Sequence, residues 1–354
     1  MKRTLQILSR SGQGPIIWLI RGQCRGQAGQ VTKASIRVKA PAKINLNLSI
    51  LGKRADSYHQ LETVMQSLAL CDLIDLELRA SEDKSLKDSQ IKLISNYQIP
   101  QGPEADLAFK AANLFLESLG VKANLTIGVK KEIPMAAGLA GGSSDAAAVL
   151  RGLSLLFNNP LSRSCFTPTK SSPEKGKVDL SFLHNLAEQL GADVPFCLKQ
   201  GTALCQGKGE IIHELGDFSG HPLLVYKPPQ SVSTADLFQQ LGAGPYRPDE
   251  SPANHKKDQY QRLLTRGLTA MDREMVNDFA PFLLKIHPDL KEALKKLSLS
   301  GAGFVRFTGS GPSIFAIYES FVKRDQALKE LKNSLSGQLY PTYTSNPTTY
   351  DLDE

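Results

Sequence analysis

A loop of small residues precedes an alanine-rich segment between Pro134 and Leu150, where the sequence reads PMAAGLAGGSSDAAAVL. The glycines allow the backbone to approach a ligand closely, and the alanines predict a helix directly after the loop. The N-terminus of such a helix offers unpaired N–H groups and a partial positive charge, which together suit a phosphate group. The segment therefore predicts a phosphate-binding site formed by Pro134, Met135, Ala136, Ala137, Gly138, Leu139, Ala140, Gly141, Gly142, Ser143 and Ser144.

Two serines at the end of this loop could take part in the same chemistry. The hydroxyls of Ser143 and Ser144 stand where the helix is expected to begin, so either could bind a phosphate oxygen or a magnesium ion. The loop contains neither the Walker A pattern nor the dinucleotide pattern G-x-G-x-x-G. A glycine-rich loop also allows a helix to pack closely on a sheet, so packing alone is an alternative explanation.

Three other segments hold polar residues that could do chemistry. Lys43 lies in APAKINLNL, Asp193 lies in GADVPF, and Ser310 lies between two glycines in FTGSGPSIF. Each residue has a simpler explanation: a solvated lysine on a strand, an aspartate in a turn, and a hairpin turn between two strands. The segments point to a function only because they occur together, in this order, with the glycine–serine loop.

Apolar periodicity predicts the elements that must position these side chains. Between residues 35 and 51 one face of a predicted strand carries Lys43, Asn45, Asn47 and Ser49, while the other face is apolar. Further strands are expected at 125–130, 223–226, 304–307 and 313–318, and helices at 104–119, 144–157, 180–190, 234–241 and 288–298. This mixture of strands, hairpin-like pairs and helices predicts an α+β protein with two domains.

Composition suggests where the domains begin and end. Residues 1–38 are rich in Gly, Gln and Arg and predict a basic, disordered N-terminal extension. The two folded domains are expected at 39–217 and 218–340, and residues 341–354 predict a disordered tail. An Arg-rich, acid-poor extension is also typical of organelle transit peptides, so a plastid-type organelle is an alternative to the expected cytoplasmic location.

The distribution of charge argues against a nucleic-acid-binding surface on the folded body. The chain of 354 residues has a formal net charge of +7. Seven of its 42 basic residues lie in residues 1–38, which contain no acidic residue, and the other 35 are matched by the 35 Asp and Glu residues. The excess charge therefore belongs to the N-terminal extension, and a basic groove has little support in the composition.

Cysteine and histidine spacing bears on redox state and metal binding. The five cysteines form no C-x-x-C pair, which favours a reducing compartment over a disulfide framework or a structural zinc site. The six histidines show no zinc-binding spacing, so a magnesium ion carried by a nucleotide is the metal that the sequence leaves open. No apolar run is long enough for a transmembrane helix.

Taken together, the motifs resemble those of the GHMP kinase superfamily. The matching segments are APAKINL (40–46), RADSYHQL (54–61), the glycine–serine loop, GADVPF (191–196) and TGSG (308–311). The resemblance implies a two-domain GHMP kinase fold, with an ATP-binding N-terminal domain like ribosomal protein S5 domain 2 and a ferredoxin-like C-terminal domain that helps to bind the substrate. It also implies an active site in the cleft between the domains, with ATP and Mg²⁺ as cofactors.

The resemblance implies a role for each of the catalytic residues. Asp193 would accept the proton of the attacking hydroxyl, and Lys43 would offset the negative charge that develops on the transferred phosphoryl group. The loop from Pro134 to Ser144 would hold the ATP phosphates through its backbone N–H groups. Ser144 would contact Mg²⁺, with Ser143 as the alternative.

Within the superfamily, APAKINL combined with SYHQL most closely resembles the members that phosphorylate the 2-hydroxyl of 4-diphosphocytidyl-2-C-methyl-D-erythritol, a step of the non-mevalonate isoprenoid pathway. This implies that Tyr58 and His59 contact the cytosine ring, that Phe238 closes its opposite side, and that Asn45 binds a hydroxyl of the methylerythritol. The substrate-binding residues expected on this basis are Asn45, Tyr58, His59, Phe238, Gly309, Ser310 and Gly311.

Two other functions fit part of the pattern. A homoserine or mevalonate kinase of the same superfamily would share the Lys43 and Asp193 positions. A non-catalytic RNA-binding module would need only the fold and the basic extension, and it would have no use for the lysine, the aspartate and the serines. The expected partner is therefore a small-molecule substrate, with no nucleic acid or membrane, and the sequence leaves open whether the protein is a monomer or a homodimer.

Three positions depart from the family pattern in a way that has a structural meaning. Ser57, Ala136 and Ala140 stand where relatives often have glycine. Glycine adopts positive φ angles without strain, whereas a residue with a Cβ atom does so at a cost. We therefore expect a strained or a relaxed backbone at Ser57, whereas alanine adds only a methyl group, so the loop is expected to persist with Ala136 and Ala140.

Overall fold

The structure is a computed structural model. It describes residues 4–7, 18–24, 31–80, 88–160, 162–169, 178–246 and 253–346. Most of the described residues belong to one of two β-sheets or to the helices packed on them.

The first sheet is built around one long antiparallel hairpin. Its strands are β1 (Thr4–Ile7), β2 (Trp18–Cys24), β3 (Val31–Lys53), β4 (His59–Arg79), β5 (Gln90–Ser95), β7 (Asn124–Lys130), β9 (Thr202–Gly207) and β10 (Ile211–Glu214). The order is β1–β2–β3–β4–β7–β5, while β9 pairs with the first part of β4 and β10 pairs with β9. Two short strands, β6 (Val121–Lys122) and β8 (Thr167–Pro168), form a separate pair.

Four helices belong to the same half of the chain: α1 (Leu107–Ser118), α2 (Gly141–Asn158), α3 (Leu180–Leu190) and α4 (Val194–Lys199). Helix α2 is buried along most of its length, which explains why small residues dominate it. It approaches the sheet so closely that a methyl group on Gly152 would lie 2.5 Å from the Leu76 side chain. The alanine-rich segment is therefore the central helix of the first domain.

The second sheet has four antiparallel strands: β11 (Pro222–Lys227), β12 (Phe304–Phe307), β13 (Ile314–Ile317) and β14 (Gln338–Tyr343). Its order is β12–β13–β11–β14, so the strands taken in chain order lie in the order 4-1-3-2 of a ferredoxin-like unit. The accompanying helices are α5 (Thr234–Leu241), α6 (Ala253–Thr265), α7 (Leu268–Glu274), α8 (Ala280–Ile286), α9 (Leu290–Leu299) and α10 (Phe321–Leu331).

An apolar core joins the two sheets. The apolar face of β3, including Ile44 and Leu46, packs in one buried cluster with Phe304 and Phe315 of the second sheet. Burying large aromatic and aliphatic side chains in a shared core makes separation of the domains costly. The cleft between the domains therefore has walls that are fixed relative to each other.

Part of the predicted N-terminal extension is ordered structure. The prediction that residues 1–38 are disordered is wrong for residues 31–38, which begin β3 and bury Ala34, Ile36 and Val38 against the core of the first domain. It is also wrong for residues 4–7 and 18–24, whose backbones pair as β1 and β2. The remainder of residues 1–38 lies outside the described residues.

The predicted disordered tail also begins too early. Strand β14 continues to Tyr343 and pairs with β11, and the Thr344 N–H donates to the His221 carbonyl over 2.9 Å. Backbone pairing of this kind satisfies the polar groups of residues 341–346, whose composition alone gave no sign of it. Residues 347–354 lie outside the described part of the chain.

Among the residues that the structure describes, no helix combines the length and the apolar character that crossing a bilayer requires.

Candidate active site

A cleft of about 920 Å³ lies between the two domains, a size that suits small-molecule ligands. Both domains contribute to its walls. The sequence-predicted residues that line it are Lys43, Asn45, Tyr58, His59, Asp193, Phe238, the loop from Pro134 to Gly142, and the turn from Gly309 to Gly311. Residues that are far apart in the sequence thus face one cavity, whereas Ser143 and Ser144 do not line it.

The glycine–serine loop and the TGSG turn touch each other across the cleft. A methyl group on Gly138, where φ is +69°, would lie 2.5 Å from the Thr308 carbonyl oxygen. The Thr308 hydroxyl in turn accepts a hydrogen bond from the Asn45 N–H over 3.1 Å. Only glycine allows this close approach of two backbones, so Gly138 sets the position of the loop.

The departures from glycine coincide with unusual backbone angles. Ser57, Ala136 and Ala140 have φ angles of +68°, +52° and +55°. Left-handed conformations of this kind cost of order 1–3 kcal/mol for residues with a Cβ atom. The backbone therefore keeps the conformation typical of glycine at these positions, and the loop stores strain beside the cleft.

The predicted catalytic pair is in contact. The Lys43 Nζ atom lies 3.5 Å from the Asp193 Oδ2 atom, and Lys43 is 4% exposed while Asp193 is 33% exposed. The buried ammonium and the accessible carboxylate share one wall of the cleft, beside the loop. This arrangement can accept a proton from a hydroxyl and stabilise a nearby developing negative charge.

Local features of the backbone direct the side chains of Lys43 and Asp193 into the cleft. The pairing of β3 with β4 shifts register between Pro41 and Lys43 and again between Asn45 and Asn47. Such bulges redirect side chains and are common beside active sites. Asp193 occupies the N-cap position of α4, yet within the described structure its carboxylate makes no capping hydrogen bond and is left to pair with Lys43.

Asn45 is placed differently from the expectation. Its Oδ1 atom accepts a hydrogen bond from Lys43 Nζ over 2.8 Å, and its Nδ2 atom donates to Thr63 Oγ1 over 2.8 Å. Both ends of the amide therefore have protein partners. The predicted contact with a substrate hydroxyl stays a prediction, since Asn45 lines the cleft, and in this geometry the residue also supports the predicted catalytic lysine.

Ser144 also differs from its predicted role. Its side chain is fully buried, and its hydroxyl donates to the Pro41 carbonyl over 2.7 Å. A hydroxyl in this position ties α2 to β3 and is unavailable to a magnesium ion in the cleft. The predicted magnesium contact at Ser144 therefore does not fit this geometry. Ser143, by contrast, is partly exposed at the start of α2.

A buried ion cluster next to the loop was missed by the sequence analysis. Lys131 Nζ bonds to Asp145 Oδ2 over 2.7 Å and forms a second, shorter contact with Asp72. A methyl group on Gly141 would lie 3.0 Å from the same nitrogen, which places the ammonium at the start of α2. Asp145 follows the serines in GGSSD, so its position could have been noticed, whereas Asp72 and Lys131 carry no local signal.

Burial and charge act together on this cluster. Burial opposes the charge of Lys131, but Asp145 and Asp72 together raise the pKa of its ammonium. Burial raises the pKa of Asp145 to about 8, although Lys131 opposes that change. Among the described residues Asp145 Oδ1 has no hydrogen-bond partner, so no donor stabilises a negative charge on this oxygen.

The predicted base-binding residues lie at the other end of the cleft, in an arrangement that leaves no slot between two of them. The His59 ring stacks directly on Phe238 with 4.6 Å between centroids and 19° between planes. Tyr58 is 58% exposed and lies under the Lys208 ammonium, 4.8 Å from its ring centre. Burial first, and then Lys53, lowers the pKa of His59. The aromatic residues are therefore present at the cleft, but a flat ring must displace one of them.

The TGSG turn is linked to this end through a hydroxyl pair. Ser310 Oγ lies 2.7 Å from Thr234 Oγ1, at the start of the helix that carries Phe238. Asn277 fixes the turn by donating to the Gly309 carbonyl over 3.0 Å. The turn thus contacts the glycine–serine loop on one side and helix α5 on the other.

Tyr97 and Asp106 also line the cleft, although neither is among the site residues expected from the sequence. The Tyr97 hydroxyl donates to Asp106 through a short contact, and the other carboxylate oxygen of Asp106 caps α1 by accepting from Ala108 N–H. Burial, and then Asp106, raises the pKa of Tyr97. Both residues line the cleft beside the start of α2.

Two family models match the chain. The GHMP kinases N terminal domain matches residues 106–169, and the GHMP kinases C terminal domain matches residues 262–337. The first match includes the glycine–serine loop, and the second includes the TGSG turn.

Curated relatives cover most of the chain. A 4-diphosphocytidyl-2-C-methyl-D-erythritol kinase of Clostridium perfringens is 36% identical over 312 residues, which is 88% of this chain and 99% of the relative. A protein of the same name from Brevibacillus brevis is 36% identical over 302 residues, with 85% of this chain and 92% of the relative covered.

Solved structures share the fold. A crystal structure of 4-(cytidine 5'-diphospho)-2C-methyl-D-erythritol kinase aligns with a TM-score of 0.67 at 30% identity, covering 88% of this chain and 99% of that one. A homoserine kinase from Cytophaga hutchinsonii aligns with a TM-score of 0.62 at 19% identity, covering 88% and 95%, which is evidence for the fold alone.

Proposed function

The chain belongs to the GHMP kinase family, and we propose that it transfers the γ-phosphoryl group of ATP to the 2-hydroxyl of 4-diphosphocytidyl-2-C-methyl-D-erythritol. The observation that carries the proposal is the contact of Lys43 with Asp193 at 3.5 Å, beside a loop built for phosphate. The names of the relatives that are at least 30% identical support the choice of substrate.

The residues of the cleft divide the reaction between them. Asp193 takes the proton of the attacking hydroxyl while the new bond from that oxygen to the γ-phosphorus forms. The bond between the γ-phosphorus and the bridging oxygen breaks, and ADP leaves with the electron pair. Lys43 lies where it can offset the charge on the transferred group, since its ammonium is buried and directed into the cleft.

The loop suits the ATP phosphates. Gly138 brings the backbone close to the TGSG turn, and the N-terminus of α2 presents N–H groups to the cleft. A magnesium ion held by the phosphates would supply additional charge neutralisation there. Neither serine lines the cleft, and of the two only Ser143 is partly exposed, so Ser143 is the candidate contact for this ion.

An assay of ADP release with a panel of alcohols tests the proposal. We expect turnover with the cytidylated methylerythritol and none with homoserine or mevalonate. Activity with only one of the latter two would reject the substrate assignment and keep the family. If none of the alcohols on the panel supports ATP turnover, and if the protein binds RNA in a salt-dependent way, the alternative of a binding module is favoured.

The catalytic assignment has its own test within the same assay. Asp193→Asn keeps the shape of the side chain but removes the base, so we expect kcat to fall by about 10²- to 10⁴-fold. Thermal denaturation of the variant checks that it is folded. A kcat within about threefold of the wild type would show that the proton goes elsewhere.

A further inference from the structure

The catalytic lysine is held by a chain of buried hydrogen bonds that runs between β3 and β4. Lys43 Nζ donates to Asn45 Oδ1 over 2.8 Å, and Asn45 Nδ2 donates to Thr63 Oγ1 over 2.8 Å. The Thr63 hydroxyl donates to the Asn47 carbonyl over 2.6 Å. Thr63 and Asn45 are both buried, so water does not compete for these groups.

The proton count of the Thr63 hydroxyl determines which way the Asn45 amide faces. A hydroxyl has one proton, and that of Thr63 is used on the Asn47 carbonyl. Towards Asn45 the Thr63 oxygen can therefore only accept, which requires the amide nitrogen on that side. The amide oxygen must then point to the Lys43 ammonium, whereas a flipped amide would set two donors against each other.

We propose that Thr63 is a positioning residue for phosphoryl transfer, because its hydroxyl orients the Asn45 amide that holds the Lys43 ammonium beside Asp193. The inference deepens the proposed function, on which it rests. The Thr308 hydroxyl also reaches Asn45 Oδ1, but over 3.5 Å, so Thr63 at 2.8 Å is the closer partner of the amide, next to the irregularity of β3 between Asn45 and Asn47. The hydrogen bond from Thr63 to the Asn47 carbonyl spans that irregularity and fixes both residues.

Replacing Thr63 by valine preserves the shape of the side chain and removes the hydroxyl. The Asn45 Nδ2 group then loses its buried acceptor, and the amide can rotate away from Lys43. Thr63 itself lines the cleft, so a direct contact with a ligand would show as a change in KM, whereas positioning through Asn45 predicts that kcat falls by about tenfold or more with KM changed less than threefold. Thr63→Ser retains the hydroxyl and is expected to restore most of the activity.

Thr202→Val provides a matched control. Thr202 is a buried threonine of the same sheet whose hydroxyl donates to Gln66 Oε1 over 2.6 Å, and it does not line the cleft. Its loss removes a buried hydrogen bond of the same kind, so stability should fall while kcat stays within about twofold of the wild type. If Thr63→Val does not fold, Thr63→Ala carries the same expectation for kcat.

A double-mutant cycle with Asn45→Ala separates positioning from a general structural effect. If Thr63 acts through Asn45, the double variant should be no slower than Asn45→Ala alone. The assay uses whichever alcohol the wild type phosphorylates, so an incorrect substrate assignment leaves the comparison intact. The proposal is overturned if Thr63→Val keeps the wild-type kcat, if it changes only KM, if serine fails to rescue, or if the two effects on kcat multiply independently.

Discussion

The two ends of the cleft are built in different ways. At the end with the nucleotide loop, backbone touches backbone at Gly138 and Thr308, and Lys131 is held between two buried carboxylates. At the opposite end, the side chains of Tyr58 and His59 lie on the surface of the cleft, and Tyr58 is more than half exposed. Backbone contacts and buried ion pairs have few alternative arrangements, whereas exposed aromatic rings have many.

This difference indicates which end must change when ligands bind. His59 and Phe238 are already in stacking contact at 4.6 Å, so a base that stacks on Phe238 must first move the imidazole. Rotamer changes of partly exposed side chains take place within nanoseconds and need no domain movement. The loop end offers its N–H groups without such a change. If the proposed function is correct, we therefore expect ATP to meet a formed site and the alcohol substrate to meet one that rearranges.

Gly138→Ala should displace the glycine–serine loop. Of the variants that compare the two ends of the cleft, it has the largest expected effect. The added methyl group would lie 2.5 Å from the Thr308 carbonyl, at a φ of +69°, so the loop or the turn must shift. We expect kcat/KM for ATP to fall on the order of 10- to 100-fold, from strain of about 1–3 kcal/mol at the loop. Steady-state kinetics with varied ATP measures this.

Gly301→Ala is the control for backbone strain alone. Gly301 has a φ of +86°, and a methyl group there would have no atom within 4 Å. This variant should lose some stability but keep its ATP kinetics. If both variants behave alike towards ATP, the close approach of the loop to the TGSG turn has no special importance.

Phe238→Ala tests the adaptable end and should have a smaller effect. Stacking of a base on an aromatic ring is worth about 1–3 kcal/mol, so we expect KM for the cytidylated substrate to rise by about tenfold. KM for ATP should be unchanged because no hydrogen bond or ring contact of the described residues joins the Phe238 ring to the loop; its ring contacts are His59 and Phe279. Phe321→Ala removes an exposed aromatic ring that does not line the cleft, and it should change neither constant. A rise in KM for ATP in Phe238→Ala would mean that the two ends are not independent.

The sequence predicted the structure best where an element depends on residues that are neighbours in the chain. The helix after the glycine–serine loop is α2, and the predicted strand at 125–130 is β7. These elements follow from local composition and periodicity. The contact of Lys43 with Asp193 was expected only from the resemblance to a family, because no local pattern brings two distant segments together.

The sequence predicted least where a side chain's partner comes from another strand or helix. Asn45 and Ser144 were assigned to ligands, but Thr63 and the Pro41 carbonyl are their partners. Hydrogen-bond partners across a sheet depend on register and bulges, which composition does not reveal. The pairing of residues 341–344 with β11 and the residue before it could not be predicted for the same reason.

The smallest effect is expected from the buried carboxylate at the loop end, and it shows as a dependence of stability on pH. Burial raises the pKa of Asp145 to about 8, so the folded protein holds a proton that the unfolded chain, in which an aspartate has its ordinary pKa of about 4, releases at a much lower pH. Stability from this group is therefore complete at low pH and is lost as the pH rises towards 8. Asp145→Asn removes the titration while keeping a neutral side chain of the same shape.

We expect the melting temperature of Asp145→Asn to rise relative to the wild type between pH 5.5 and pH 8, by about a few °C. Comparing the two proteins at each pH cancels the titration of every other group that the substitution leaves unchanged. Such a trend would support the contrast between the two ends of the cleft. Asp145 keeps its proton beside Lys131 only if water stays out of this site when no ligand is bound. Parallel curves would mean that water reaches Asp145, and that the loop end is as adaptable as the aromatic end.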